Sequence, residues 1–383
     1  MHVYISNGGD GTIGCHRLHT DGSLAFVANV DVGAGLGPMT VRRDRRVLVA
    51  ACRKAPTTFA SFAIDRSSGA LSLLERTAAH DSFPYIVFDA TGRYLLAASY
   101  SASIVTINAV DSEGVVEAPA LQVIPVGRHA HSIRLDETNR YAFVPTLGSD
   151  QIFQFVFDDS SGWLTSNTPA VAMVKQGSGP RHLWTSPDNR FLYVLNEMTG
   201  TVTRFSLDES TGLLTEHESA LALPPDTTLT TGFARGPVFG AGSGASGGGA
   251  GGAGGAGGAP APAPRSLDND IWAADMHLTP DGRFLYASER ASSSITAFKV
   301  DASSGKLSYV ATTPTEKQPR GFAIDPDGKW LIAVGEKSDR IAVYAIEGSS
   351  GMLREAGRYP GGSGASWVEI VAEGRRGAPV KNS

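Results

Sequence analysis

Basic, acidic and imidazole side chains recur at the entrances of short apolar segments in this chain. Arg128, His129, His131 and Ser132 stand together in RHAHS, Arg181 and His182 in PRH, Asp275 and His277 in ADMH, and Arg320 in QPR. Other segments close on polar groups: Asn196 and Glu197 in LNE, Glu289 and Arg290 in SER, Glu336 and Lys337 in GEK. A guanidinium fork holds carboxylate or phosphate oxygens two at a time, a carboxylate or imidazole takes a proton from water, and a second guanidinium steadies charge growing on a carbonyl oxygen. Nine residues before the basic residue that follows each of three tight turns (Arg140, Arg190, Lys329) stand His131, Arg181 and Arg320, so three segments present a group at one register. The bland alternative is a polar rim of ion pairs that binds nothing. Against it, three Arg, a carboxylate and several His gather on a chain of net charge −5, and such local positive charge suits an anionic small molecule.

The elements that carry these groups follow from self-similarity. A turn before a Leu recurs as Asp21-Gly22, DRSSGAL (65–71), DSEG (111–114), DDSSGWL (158–164), DESTGLL (208–214), DASSGKL (301–307) and EGSSGML (347–353). Its glycines, Gly22, Gly69, Gly114, Gly162, Gly212, Gly305 and Gly351, are 47, 45, 48, 50, 93 and 46 residues apart, and the long interval holds a Gly-rich insertion. A second signal is an apolar strand, a tight turn and an alternating strand, clearest in 179–194, 274–288 and 318–334, with weaker copies starting near Pro38, Pro84 and His131. Asp-Gly and Pro-Asp turns between such strands make antiparallel hairpins, and a period of this length predicts an all-β, seven-bladed β-propeller of four-stranded blades. The seventh unit is split. GASWVEI (364–370) supplies its strand A and HVYIS at the N-terminus its strand B, so strands B to D from the start of the chain and strand A from its end close the ring without an open edge. The Asp residues of the repeated turns are turn formers, not metal ligands. The starts of strand A and the ends of strand B, where the chain departs from its own repeat, share one mouth of the channel.

At 42% apolar content the chain has material for a large core as a single domain over 1–383, with disorder expected at about 233–266 and in a tail at about 374–383. Lys and Arg (33) are outnumbered by Asp and Glu (38), which argues against a nucleic-acid partner. No apolar run reaches the roughly 18 residues that span a bilayer, and no leader pattern opens the sequence, so a cytoplasmic protein with no membrane partner, monomeric, is expected. Cys15 and Cys52 are too few for a disulfide framework and read as packed thiols in a reducing compartment. The insertion, with 12 Gly between Gly240 and Pro264, lacks the Lys and Ser/Thr of a phosphate loop and is expected to be a dispensable linker near the mouth.

RHAHS, GSGPRHLWTSPDNRFLYVLNE, WAADMHLTPDGRFLYASERASSSITAF, TEKQPRGFAIDPDGKWLIAVGEKSDRIAVY and GRYPGGSGASWV together resemble the seven-bladed 6-phosphogluconolactonase family of bacterial cytosol, which includes related muconate-lactone cyclases. The resemblance covers nearly everything outside roughly 233–266 and is most specific over 272–345. It implies hydrolysis of 6-phospho-D-glucono-1,5-lactone in the pentose phosphate pathway, without metal or cofactor, and assigns chemistry to His131, Arg181, Glu197 and Arg290. The residues fit such a reaction: Glu197 or His131 as base, Arg181 and Arg290 on the oxyanion, and Arg320, Lys337 and His277, with His182 and Asp275, on the anionic sugar lactone and its phosphate. Ser132 lacks a triad or nucleophile elbow. Two other readings stand beside this one: a muconate-type lactone cyclase or hydrolase, whose carboxylates the same Arg cluster would also suit, and a scaffold propeller, which would show an apolar patch on the mouth face.

Overall fold

The structure, a computed structural model, describes residues 1–235 and 267–373, so the disorder expected for the insertion and the tail falls almost entirely outside the described residues. Runs rich in Val, Ile, Leu and aromatic residues interleaved with small or polar ones, most of them six to eight residues long, form seven four-stranded antiparallel sheets. Blade 1 joins Ala365–Val371 as strand A to His2–Asn7, Thr12–Leu18 and Leu24–Asp31, the predicted closure. Blades 2 to 7 begin with strands A at Leu36–Val41, Tyr85–Phe88, Arg134–Leu135, Pro180–Thr185, Ala273–Leu278 and Pro319–Ile324.

The repeated glycine is explained by what lies across each blade boundary. All seven have φ between +71° and +99°. A Cβ on Gly22, Gly69, Gly114, Gly162, Gly212, Gly305 or Gly351 would strike, within 2.1–2.6 Å, the first residue of strand B in the preceding blade: Trp330, His2, Val47, Tyr94, Tyr141, Phe191 or Phe284. Left-handed backbone and close approach together leave room for Gly alone. The basic residue after the A–B turn is a second latch. Arg93, Arg140, Arg190 and Arg283 each donate to a backbone carbonyl in the C–D turn of the next blade, those of Asp159, Glu209, Ala302 and Gly348, at 2.6–2.9 Å.

Seven apolar clusters fill the blade interfaces, one per boundary, so the core is a ring of wedges around the channel. Cys15 and Cys52 are both unbridged and share the cluster between blades 1 and 2, where burial pushes the Cys15 thiol up to about 11. No helix among the described residues is long and apolar enough to cross a membrane.

Candidate active site

The mouth at the start of the A strands is built by a repeated irregularity. In blade 5, Pro180 pairs with Asn196 and His182 with Leu195, leaving Arg181 as the extra residue of a β-bulge. In blade 7, Pro319 pairs with Gly335 and Gly321 with Val334, leaving Arg320. Blades 2 and 6 carry the same break, between Leu36 and Met39 and between Ala273 and Met276. A bulge takes one side chain out of the in-out alternation and re-aims it, which is how an Arg that alternation would send elsewhere comes to face its neighbours.

Arg181 and Arg290 close on one carboxylate. Glu197 Oε2 lies 2.8 Å from Arg181 Nε and 2.9 Å from Arg290 Nη2, and the three side chains are only 1%, 2% and 7% exposed (Arg181, Arg290 and Glu197). The Arg290 contact is an aligned hydrogen bond; the Arg181 contact is a charge contact whose Nε–H is not aimed at the oxygen. Arg290 also donates through Nε to the Trp272 carbonyl (3.0 Å) and through Nη2 to that of Ala273 (3.1 Å), with its guanidinium 3.7 Å from the Trp272 ring. Arg181 Nη1 donates to the Ala274 carbonyl. Among the described residues, Arg181 Nη2, Arg290 Nη1 and Glu197 Oε1 have no protein hydrogen-bond partner, and none of the three is sealed from solvent. Burial pulls Arg181 down to about 9 and Arg290 to about 10, each opposed by Glu197, and both stay cationic at neutral pH.

Below this trio the imidazoles are held in place. His182 Nδ1 lies 2.8 Å from Asp275 Oδ1 and its Nε2 3.0 Å from Arg181 Nη1. A carboxylate only accepts and a guanidinium only donates, so the proton sits on Nδ1 and the ring is neutral. Burial, then Arg181, brings His182 to about 4. Asp275 also takes His277 Nε2 (3.1 Å) and the backbone N–H of Met276 (2.9 Å) and Phe322 (3.3 Å). Burial alone would raise this carboxyl, but His277 and His182 outweigh it and hold it well below the usual range. His131 is buried 5.2 Å from the His182 ring, its Nδ1 without a partner and shielded from solvent. Desolvation and then the charge on Arg181 hold its pKa well below the ordinary imidazole value, so it is neutral as well.

Seven of the nine expected residues therefore form one connected cluster: His131, Arg181, His182, Glu197, Asp275, His277 and Arg290. Within it, His182 and Asp275 are committed to each other and to Arg181, leaving them no donor for a substrate. His277 lies deeper in the channel, between Trp184 (ring centroids 4.6 Å apart) and Phe322 (4.7 Å), away from the groups at the mouth. Arg320 is at the mouth, 3.1 Å from Glu336 Oε1. Lys337 is exposed on the rim, its backbone N–H bonded to the Lys317 carbonyl and its side chain in no hydrogen bond or ion pair with these groups.

The sequence reading missed three mouth residues. Tyr100 and Arg53 occupy the first position past strand B in blades 3 and 2, the register of Glu197, Arg290 and Glu336. Tyr100 stacks on His129 (4.3 Å) and donates its hydroxyl to the Arg235 carbonyl (2.7 Å). The third is Trp272, whose ring lies 3.9 Å from the Arg235 guanidinium at the near end of the insertion as well as against Arg290. A cleft of about 690 Å³ on the opposite face is lined by turn residues, among them Arg42, Arg43, Asp44, Thr91, Arg93 and Asp111, several of them exposed.

A family model described as "Lactonase, 7-bladed beta-propeller" matches residues 2–370. The chain belongs to that family. It is 33% identical over 371 residues to a 6-phosphogluconolactonase of Serratia proteamaculans, covering 97% of this chain and 99% of the relative, and 33% identical over 370 residues to one from an Enterobacter species, covering 97% and 98%. Among solved structures, a putative 6-phosphogluconolactonase from Bacteroides fragilis superposes with a TM-score of 0.79 at 23% identity over 97% of this chain and 98% of its own. A periplasmic gluconolactonase of Pseudomonas aeruginosa gives 0.78 at 24%, covering 97% and 99%. Those two likenesses speak to the fold. Family and curated relatives together make this protein a lactone hydrolase.

Proposed function

We propose that the protein hydrolyses 6-phospho-D-glucono-1,5-lactone to 6-phospho-D-gluconate, the lactonase step of the pentose phosphate pathway, as a cytoplasmic monomer. The observation that carries this reading is the buried Arg181–Glu197–Arg290 trio, with two guanidinium donors and one carboxylate oxygen left unused by the protein. Glu197 Oε1 takes a proton from water, whose oxygen attacks the lactone carbonyl carbon. Arg181 Nη2 and Arg290 Nη1 hold the carbonyl oxygen as it becomes an oxyanion. Collapse of the tetrahedral intermediate breaks the bond to the ring oxygen, and Glu197 returns its proton to that leaving alkoxide. His131 is the weaker base of the pair, because an imidazolium there would be buried among Arg181, Arg290 and Arg320. The Asp275–His182 pair fixes the angle of Arg181. The relatives named for the phosphorylated lactone support that substrate over an unphosphorylated one.

The test is a progress curve on freshly made 6-phosphogluconolactone, following 6-phosphogluconate against the uncatalysed background, with carboxymuconolactone in parallel. Rapid opening of the sugar lactone is expected. Opening of carboxymuconolactone with the sugar lactone left at its spontaneous rate would reject the assignment in favour of a muconate-type enzyme.

A further inference from the structure

Arg53 is a half-buried guanidinium that the protein does not use. It makes no ion pair within 4 Å of any described carboxylate, none of its side-chain N–H groups finds a protein acceptor, and its Nε is sealed from solvent. A guanidinium that gives up part of its hydration, with its Nε shielded and no protein acceptor in return, is poised for a ligand that supplies one. The chain runs from strand B of blade 2 (Val47–Cys52) straight into Arg53, the register that holds Glu197, Arg290 and Glu336 in blades 5, 6 and 7. Its side chain lies over Gly37. A Cβ there would sit 2.6 Å from Arg53 Cδ, and Gly37 is in the bulge of strand A where blades 5 and 7 carry Arg181 and Arg320. Blade 2 thus reaches the same part of the mouth from the other end of the hairpin.

Arg53 stands close enough to Arg320 and Glu336 that their charges act on it, with Asp81 a weaker third. Burial and then Arg320 lower it to about 10, so it is still a cation at neutral pH. Asp81 is itself occupied by the Ser99 hydroxyl. Between blades 7 and 2, blade 1 puts Gly8 at the shared register and contributes no side chain. Beside the first group the mouth thus carries an Arg320–Glu336 pair and, across Gly8 of blade 1, Arg53 without an ion pair. The Glu336 carboxylate is engaged at 3.1 Å by Arg320 alone, and Arg53 stays open.

We propose that Arg53, together with Arg320, binds the phosphate of the substrate and sets the preference for a phosphorylated over an unphosphorylated lactone. This rests on the lactonase reading above for which end of the substrate reacts. Bidentate guanidinium–phosphate contacts are directional and charge-assisted, and a dianion completes a group that is short of negative charge. Arg181 and Arg290 then act on the lactone carbonyl while Arg53 and Arg320 hold the far end of the same molecule.

The experiment compares wild type, Arg53→Met and Arg53→Lys on 6-phosphogluconolactone and on glucono-1,5-lactone, with binding of 6-phosphogluconate measured by calorimetry. Replacing a half-buried unpaired charge by Met of similar length is expected to leave folding intact, and Arg53→Lys keeps the charge where Met packs badly. For Met, kcat/KM on the phosphorylated lactone should fall about 10- to 100-fold, mostly in KM, with less than about a 3-fold change on glucono-1,5-lactone. Lys should recover part of the loss, and 6-phosphogluconate affinity should follow KM. Equal losses on both lactones, or no loss on either, overturn the proposal. If the wild type opens neither lactone above background, the lactonase reading fails instead. The subsite then stands on calorimetry alone: 6-phosphogluconate bound by wild type and lost in Arg53→Met supports it, and equal or absent binding overturns it.

Discussion

Glu197→Gln should separate chemistry from architecture in a way no other single change at the mouth does. In the wild type one carboxylate oxygen neutralises two guanidiniums, 2.8 and 2.9 Å away, and all three groups are buried. Gln keeps the shape and removes the charge, so Arg181 and Arg290 face each other uncompensated. Removing one partner of a buried ion pair costs about 3–5 kcal/mol. With an unfolding entropy of about 2.1 cal/mol/K per residue, a chain of 383 residues has ΔSm near 0.8 kcal/mol/K, so that loss lowers Tm by about 4–6 °C. The rate should fall by about 10²- to 10⁴-fold, because an amide takes no proton from water. Calorimetric melting and lactone progress curves read the two effects separately. Adding Arg290→Met to Glu197→Gln removes one of the stranded cations, and should recover much of the lost Tm but none of the rate. A variant that loses Tm as expected yet hydrolyses lactone within a few-fold of wild type would refute the base assignment and reduce the trio to a structural ion-pair network.

Three further outcomes can be checked. The Glu369 carboxyl, which faces the channel beside Trp367 and Arg134, is raised to about 7, chiefly by burial. The native state therefore keeps a proton that the unfolded chain has lost, and stability falls as pH rises from about 4.5 to 7, so Glu369→Gln should gain about 1–3 kcal/mol over wild type at pH 8 and almost nothing at pH 4.5 in urea titrations. Gly212→Ala, at φ +71° with Tyr141 Cδ1 2.1 Å from the new Cβ, should cost more than about 2 kcal/mol, and an unchanged urea midpoint would remove the interlocking role given to the turn glycines. Replacing residues 236–264 by a short Gly-Ser turn, keeping Arg235 and its contact with Trp272, should leave both melting and lactonase rate within a few-fold, since loop-closure entropy changes slowly with length; a large rate loss at constant Tm would give that segment a part in catalysis.

The blade count, the split closing blade and the end of each strand that carries the polar groups were all legible in the sequence. Each has a local signature: a turn that needs positive φ writes Gly22, Gly69 and their five counterparts at a fixed period, and strands write their alternation. Arg181, Glu197 and Arg290 were legible for the same reason, as departures from that repeat. What they do to one another was not. Glu197 shared between two guanidiniums, and His182 and Asp275 locked behind Arg181, follow from blades 5 and 6 being neighbours in space, with Arg181 and Ala274 separated by 93 residues of chain. Lys337 and His277 show the limit of register reasoning. Neither stands at the register of Arg181, Arg320 and Glu336: Lys337 falls one residue past it on the exposed rim, and His277 lies deeper in the channel between Trp184 and Phe322. Arg53 is the extreme case. In sequence it is one basic residue after an apolar strand, and only the closed ring, with glycine at the intervening position of blade 1, brings it to the mouth that Arg320 shares, with no ion pair of its own.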